Sequence, residues 1–283
     1  MNTREIRKRI TSIKKTQQIT KAMKMVAAVR YRKAYQSLIA NRPYRHEMEY
    51  LVSDLVSKKK DYYEHQYFTA QKKANKELLV IITSDKGFCG SFNSSLLKYC
   101  YKKLRNSDGK IDIIAIGKKG KDFLKVRGIE TVAYYSGVMN NLNYFSIQQI
   151  VKDVLDRFAS KEYKEVNIVY NEFKIVTQAT TKRFKLFPLN VESKSNVSSE
   201  YIFEPNVKTL LEKLLPKYIG VLFYGILLES NAAEQGLRMT SMEQATKNTE
   251  EMMKKLTLQY NKVRQGNITR ELSDLVGGAA AVS

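Results

Sequence analysis

The side chains of this sequence that could carry covalent or phosphate chemistry lie together in one short stretch. Residues 83–91, TSDKGFCGS, follow an apolar run and precede a helical pattern. In α/β folds a loop at this position often binds phosphate, because the free N–H groups at a helix start attract anions. Cys89 in the same loop is a candidate nucleophile, since a cysteine thiolate attacks electrophilic substrates.

The surrounding sequence gives neither chemistry further support. The loop lacks the glycine patterns of dinucleotide and P-loop phosphate sites, and no histidine lies near Cys89 in the sequence. The chain has only two histidines, and its two cysteines have no metal-ligand spacing, so we expect no metal site and no cofactor. So few cysteines in a long chain favour free thiols in a reducing compartment. The simplest interpretation is a tight turn between strand and helix; a phosphate site and a thiol enzyme are the alternatives.

The elements that position this loop alternate between strand and helix. Apolar, β-branched runs predict strands at 78–82, 111–116 and 166–170, with an edge strand at 183–189. Helical patterns lie between them, at 94–104, 118–126 and 146–160. Such alternation predicts an α/β domain with a mostly parallel sheet.

Long helices are predicted on both sides of this domain, at residues 3–57 and 206–276. Both have the 4-3 spacing of a coiled-coil seam. The first seam contains Ile6, Ile10, Ile13, Gln17, Thr20, Lys24, Ala27, Tyr31, Ala34 and Leu38, and the second contains Met239, Met242, Thr246, Thr249, Met253, Leu256, Tyr260 and Val263. Ile19, Met23 and Val26 form a second apolar line beside the first seam. Pro216 and Gly220 are expected to disturb the start of the second helix.

Each seam needs a partner, and the other seam is the simplest one. The predicted fold is therefore α/β: a long antiparallel coiled coil of the N- and C-terminal helices with an inserted α/β (Rossmann-like) domain. The corresponding segments are 1–60 for the first helix, 61–205 for the α/β domain and 206–283 for the last helix.

The charge distribution predicts an acidic partner. The net charge is +21, and residues 1–35 hold eleven Lys or Arg against one acid, Glu5. An acidic protein surface and a nucleic acid both fit this excess. No run of about 18 apolar residues is present, so no membrane-spanning helix is expected.

Three motifs in order along the chain resemble the gamma subunit of the F-type ATP synthase. They are "IRKRITSIKKTQQITKAMKMVAAVRYRKA" at the N-terminus, "TSDKGFCGSFN" in the loop discussed above, and "NKVRQGNITRELSDLVGGAAAV" at the C-terminus. The third motif is similar to the family signature at Ile268, Thr269, Glu271, Asp274, Gly278 and Ala279. The resemblance covers essentially the whole chain.

The resemblance implies a non-catalytic central-stalk rotor subunit, which couples hydrogen ion transport to ATP synthesis. Its implied partners are three alpha and three beta subunits, an epsilon subunit and the membrane c ring, with no nucleic acid and no membrane span of its own. It would be a peripheral protein of the catalytic core complex. Because no cleavable targeting segment is evident, we expect the cytoplasmic face of a bacterial membrane.

Site residues follow from the same resemblance, position by position. Contact with the beta subunits is implied for Arg9, Met23, Lys24, Arg30, Lys33, Arg264, Gln265 and Thr269. Contact with the membrane ring is implied for Tyr201 and Glu204. An apical bearing is implied for Gly277, Gly278, Ala279, Ala280, Ala281 and Val282. Lys24 departs from the family, where an acidic or polar residue is common, and the paired glycines are expected to loosen the last turn.

Overall fold

The computed structural model describes residues 2–57, 66–69, 71, 74–107, 110–190 and 207–282. Within them the elements run in the order α1 (Thr3–Ser57), β1 (Lys76–Ile82), α2 (Phe92–Arg105), β2 (Ile111–Ile116), α3 (Lys118–Lys125), β3 (Ala133–Tyr135), α4 (Gln148–Ala159), β4 (Tyr163–Ile175), β5 (Gln178–Phe187) and α5 (Val207–Val282). Two short 3-10 turns, Val138–Asn141 and Phe145–Ile147, precede α4.

The five strands form one sheet in the order β3-β2-β1-β4-β5. β1 pairs in parallel with β2 and β4, and β2 pairs in parallel with β3. β5 pairs antiparallel with β4 at the edge, as the sequence predicts for this region. The three-residue β3 is not predicted, because a strand that short gives no periodic signal.

The two faces of the sheet are covered by different helices. Alternate residues of β1 point to opposite faces, so Leu79 and Ile81 join a core with α2 and α3, while Leu78, Val80 and Ile82 join the other core. That second core contains α4, residues 48–56 of α1 and residues 211–227 of α5. Both long helices therefore contribute to one face of the sheet.

The chain divides into two compact units. One contains Met1–Ala27 and Met239–Ser283, and the other contains Ala28–Arg238. The segment boundaries predicted at 60/61 and 205/206 fall beside or within stretches outside the described residues.

Within the first unit, α1 and α5 pair antiparallel, as predicted. Three polar pairs fix the direction, because the residue numbers fall along α5 as they rise along α1: Gln17 with Glu250, Thr20 with Thr246, and Lys24 with Glu243. Every predicted seam position in both helices is buried or half-buried. The second apolar line is different, because Ile19 and Val26 are more than half exposed.

The expected disturbance at Pro216 and Gly220 is wrong, since α5 is one helix from Val207 to Val282. Pro216 removes only one backbone hydrogen bond, and its neighbours Leu215 and Ile219 are fully buried in the core, which holds the helix in place. Gly220 has a packing role. A Cβ there would lie 2.9 Å from Tyr144 Oη, so glycine lets this side chain approach the helix.

Candidate functional site

The loop after β1 is held by its own hydroxyl and amide groups. Thr83 Oγ1 donates a hydrogen bond to the Ile116 carbonyl at 3.0 Å and accepts one from the Gly120 N–H at 2.9 Å. The Ser84 N–H donates to Asn93 Oδ1 at 3.0 Å, and Asn93 Nδ2 donates to Ser84 Oγ at 2.7 Å. Thr83 and Ser84 are completely buried. These groups therefore connect the strand to its neighbours and are not available to a substrate.

A carboxylate of the loop itself occupies the start of α3. Asp85 Oδ1 accepts a hydrogen bond at 3.0 Å from the N–H of Lys118, the first residue of α3. Its Oδ2 accepts one from the Gly137 N–H at 2.9 Å. A carboxylate at a helix start supplies the negative charge that the helix dipole favours. The loop is thus a strand-to-helix turn, in line with the simplest interpretation of its sequence.

Gly117 brings the neighbouring loop close enough for these bonds. It has a φ of +93°, and a Cβ there would lie 2.0 Å from the Thr83 carbonyl oxygen. Any other residue would therefore push the two strand ends apart.

Cys89 lacks the environment of a nucleophile. The thiol is buried, and Asn93 Nδ2 donates to Sγ at 3.2 Å. Burial raises the pKa of the Cys89 thiol, although the hydrogen bond with Ser84 and the nearby Arg238 partly oppose this. A raised pKa keeps the thiol protonated and unreactive near neutral pH.

A buried ion pair on α5 fastens that helix to the same loop. Arg238 Nη1 donates to Glu234 Oε1 at 2.6 Å. Arg238 Nη2 also donates to the carbonyls of Lys86 at 3.2 Å and Gly87 at 3.4 Å. Burial raises the pKa of Glu234, and the charge of Arg238 opposes the rise. The i, i+4 spacing of the pair is visible in the sequence, but its burial and its target carbonyls are not.

Polar residues of the predicted seam are paired across the helices of the first unit. Gln17 Nε2 donates to Glu250 Oε1 at 3.1 Å, and Thr246 Oγ1 donates to Thr20 Oγ1 at 2.9 Å. Lys24 Nζ lies 3.3 Å from Glu243 Oε1. Polar groups at coiled-coil core positions fix the register of the helices at some cost in stability. The thin seam therefore specifies one alignment.

The residues assigned to beta-subunit contact fall into two places. Six lie in the first unit: Arg9, Met23, Lys24, Arg264, Gln265 and Thr269. Of these, Met23 and Lys24 are half-buried against the paired helices, and the other four are exposed. Arg30 and Lys33 lie in the second unit, where they line a polar cavity of about 100 Å³ with Asn231 and Gln235.

The remaining predicted contact residues are only partly described. Tyr201 and Glu204 lie outside the described residues. The backbone of 277–282 is helical, so the expected loosening at the paired glycines does not end the helix. The side chains of Ala279 to Val282 lie outside the described part of the structure.

The last part of α5 has no covering within the described chain. Val263 is the last half-buried seam residue, and every residue from Arg264 to Val276 is exposed. If the alignment of the three cross-helix pairs continues to the N-terminus, the start of α1 lies level with about residue 264 of α5. Beyond that point α5 continues for about 27 Å at ~1.5 Å per residue. Leu272, Leu275 and Val276 are exposed apolar residues on this extension.

The described residues lack the features of two other classes of site. They contain no group of three His, Cys, Asp or Glu side chains that could hold a metal ion. In the same ranges, none of the helices combines the length and apolar character needed to span a bilayer.

Comparison with known proteins gives consistent matches over the full chain. A family model described as ATP synthase matches residues 2–282. The ATP synthase gamma chain of Chlorobium luteolum is 38% identical over 285 residues, covering 99% of this chain and 98% of the relative. That of Salinibacter ruber is 39% identical over 304 residues, with the same coverage of both chains.

Solved structures share the fold. A chain of the Tetrahymena thermophila mitochondrial ATP synthase, from its central stalk and c-ring structure, matches with a TM-score of 0.61 and 29% identity. It covers 80% of this chain and 99% of that chain. A chain of the Euglena gracilis mitochondrial ATP synthase matches with a TM-score of 0.68 and 21% identity, over 99% of this chain and 94% of that chain.

Proposed function

The chain belongs to the family of ATP synthase gamma chains, and we propose that it is the central-stalk rotor subunit of an F-type ATP synthase. In this role the paired ends of α1 and α5 transmit torque, and the α/β domain is the foot attached to the membrane c ring and the epsilon subunit. Three alpha and three beta subunits surround the shaft.

The observation that carries the proposal is the end of α5. A helix that continues about 27 Å beyond its partner, with exposed leucines and no cover from the described residues, favours a surrounding surface from other chains. A ring of alpha and beta subunits provides such a surface. The absence of large side chains in 277–283 suits a tip that turns inside the ring.

Torque coupling follows from differential contact. As the shaft turns, each beta subunit meets a different face of the helix pair, so each is driven to a different conformation and nucleotide affinity. Arg9, Met23, Lys24, Arg30, Lys33, Arg264, Gln265 and Thr269 would make these contacts with beta, and Tyr201 and Glu204 would meet the ring. The positive charge of residues 1–35 favours acidic beta surfaces at every orientation.

The chain itself performs no bond-making step in this proposal. Its buried Cys89 thiol and its internally bonded loop support a structural role. As a peripheral subunit it would lie on the cytoplasmic face of a bacterial membrane, held there through the c ring.

Co-expression with and without matching alpha and beta subunits tests the proposal. We expect a complex of three alpha, three beta and one copy of this chain by native mass, with faster Mg-ATP hydrolysis than alpha and beta alone. A chain that stays separate and carries nucleic acid from the lysate would overturn it and favour a basic nucleic-acid binder.

Variants of the assembled complex test the contact residues. Joint replacement Arg264→Ala and Gln265→Ala should lower hydrolysis per complex several-fold, because both residues are exposed on the uncovered end of α5. The matched control is Gln259→Ala, an exposed position on the part of α5 that is paired with α1. Equal activities in the two variants would refute this assignment.

A further inference from the structure

The second unit carries an open groove between α2 and α3, on the face of the sheet opposite residues 48–56 of α1 and 211–227 of α5. The groove has a volume of about 600 Å³. Its apolar lining comes from Leu97 and Tyr101 of α2, from Phe123 of α3 and from Val126 just after α3. Val126 is 84% exposed. The recess is within the range of small-ligand and peptide pockets, and it is apolar although it faces outward.

The two aromatic rings give the groove a fixed shape. Tyr101 and Phe123 pack edge to face, with ring centroids 6.2 Å apart and an interplanar angle of 87°. The Arg127 guanidinium lies 3.5 Å above the centre of the Phe123 ring and donates to the Phe123 carbonyl at 3.1 Å. These contacts hold the side chains in place without a ligand, which lowers the entropic cost of binding.

The helices around the groove are strongly basic. α2 carries four basic residues and no acid, and α3 carries four lysines and one acid, Asp122. Lys103 is paired with Glu77, but Lys98 and Lys119 are exposed and line the groove itself, where they outnumber the one lining acid, Asp122. The apolar recess therefore has a cationic rim.

We propose that this α2–α3 groove is a docking site for an acidic amphipathic helix of a partner protein. An apolar stripe on such a helix would fill the recess over Leu97, Tyr101 and Val126, and its carboxylates would meet Lys98 and Lys119. The site is separate from the paired helix ends that carry the proposed torque function, and its existence does not depend on that function.

The geometry favours a protein helix over other acidic partners. Single-stranded nucleic acid needs free aromatic faces for its bases, but Arg127 covers one face of Phe123, and Tyr101 meets that ring edge to face. A flat membrane surface would contact the rim and leave the recess unfilled. An amphipathic helix presents a convex apolar ridge that matches a concave groove.

The test uses the full chain and a labelled 18-residue synthetic peptide, with leucines at i, i+3, i+4 and i+7 spacing and glutamates on the other face. Because a net charge of +21 attracts any polyanion, the informative quantity is the change in Kd between variants, measured by fluorescence anisotropy. Lys98→Glu and Val126→Ser each probe one component of the site. Both positions are exposed, so folding should be unaffected.

Matched controls carry the same changes away from the groove. Lys164→Glu has the same charge reversal on an exposed lysine, and Val132→Ser has the same loss of an exposed valine surface. We expect each groove variant to weaken binding by about fivefold and each control by less than about twofold. Hydrogen exchange of the complex should show slower exchange at α2 and α3.

Three outcomes would overturn the proposal. The first is equal loss of affinity in groove and control variants, because binding would then follow net charge alone. The second is equally tight binding of a peptide with serines in place of the leucines. The third is an oligo(dT) strand that displaces the peptide and has the same sensitivity to Lys98→Glu and Val126→Ser, which would make the groove a nucleic-acid surface.

Discussion

Replacing Arg238 by alanine should strongly destabilise the Ala28–Arg238 unit, because it leaves a carboxylate buried without its partner. Glu234 is almost completely buried, and Arg238 is its charged partner at 2.6 Å. Removing one member of a buried pair costs about 3–5 kcal/mol of unfolding free energy. The carbonyls of Lys86 and Gly87 also lose their donor, which places Arg238→Ala toward the upper part of that range.

Replacing both charges should cost much less than replacing one. In Glu234→Leu with Arg238→Met neither charge of this pair remains, so the expected loss is about 0–2 kcal/mol. The difference between the single and double variants isolates the penalty of the unpaired carboxylate. Arg105→Ala, at an exposed arginine of α2, is the control and should stay within about 0.5 kcal/mol of the parent chain.

The pH dependence gives an independent check on Glu234. Its pKa in the folded chain is raised above the ordinary value of 4.5 by burial, so the folded chain holds this proton more tightly than the unfolded chain does. The stabilisation from that proton is complete below about pH 4.5 and is lost as the pH rises through the folded-state pKa. Relative to Glu234→Gln, the parent chain should therefore become less stable as the pH rises from about 4.5 toward neutrality.

Urea unfolding followed by tyrosine circular dichroism measures these quantities, since the chain has no tryptophan. The midpoint and slope together give the unfolding free energy. A loss below about 1 kcal/mol in Arg238→Ala, or a double variant as unstable as the single one, would refute the reasoning.

Four further perturbations are predicted. Asp85→Ala should lower the unfolding free energy by about 0.5–1.5 kcal/mol in urea titrations, because the exposed N–H groups of Lys118 and Gly137 lose their acceptor; no change would mean that water replaces the carboxylate. Ala232→Leu should cost about 1–3 kcal/mol by the same measurement, because this fully buried alanine packs in a cluster with Ala34 and Leu228; an unchanged midpoint would show that the interface expands without strain. Cys89→Ser should leave ATP-driven proton pumping of the assembled enzyme intact, because the thiol is buried and protonated; loss of pumping would contradict this. Removing 277–283 should weaken retention of the chain on native gels more than it lowers ATPase activity per intact complex; normal retention with collapsed turnover would show an active role for the tip.

Periodic patterns in the sequence were enough to predict most of the fold. The 4-3 seams of α1 and α5 predict two long helices, and every seam position is buried or half-buried in the structure. The β-branched runs predict β1, β2 and the centre of β4, because strands buried on both faces are apolar throughout. Pro216 misled the prediction, since the energy of burying its neighbours exceeds the local cost of a proline, and only the packed structure supplies that burial.

The chemistry of the loop after β1 could not be read from its residue types. Ser84, Asp85 and Cys89 are compatible with a phosphate site or a nucleophile, and whether they are free depends on which distant groups approach them. In the structure Lys118, Gly137 and Arg238 approach this loop from other elements. The N–H groups of Lys118 and Gly137 donate to the Asp85 carboxylate. The Arg238 guanidinium donates to two carbonyl groups of the loop. No local pattern records such pairings, because the partners are separated by 33 to 152 positions along the chain.

The sequence by itself determined the family, the two long helices and the alternation of strands and helices in the α/β domain. Each of these depends on local periodicity or on contiguous motifs. Only the tertiary structure decided the alignment of the helix pair, the internal bonding of the loop and the apolar groove between α2 and α3. Those features depend on distances between residues far apart in sequence. Such distances are set when the apolar faces pack against each other. Hydrophobic periodicity predicts which faces pack, but it does not predict which polar atoms then form contacts.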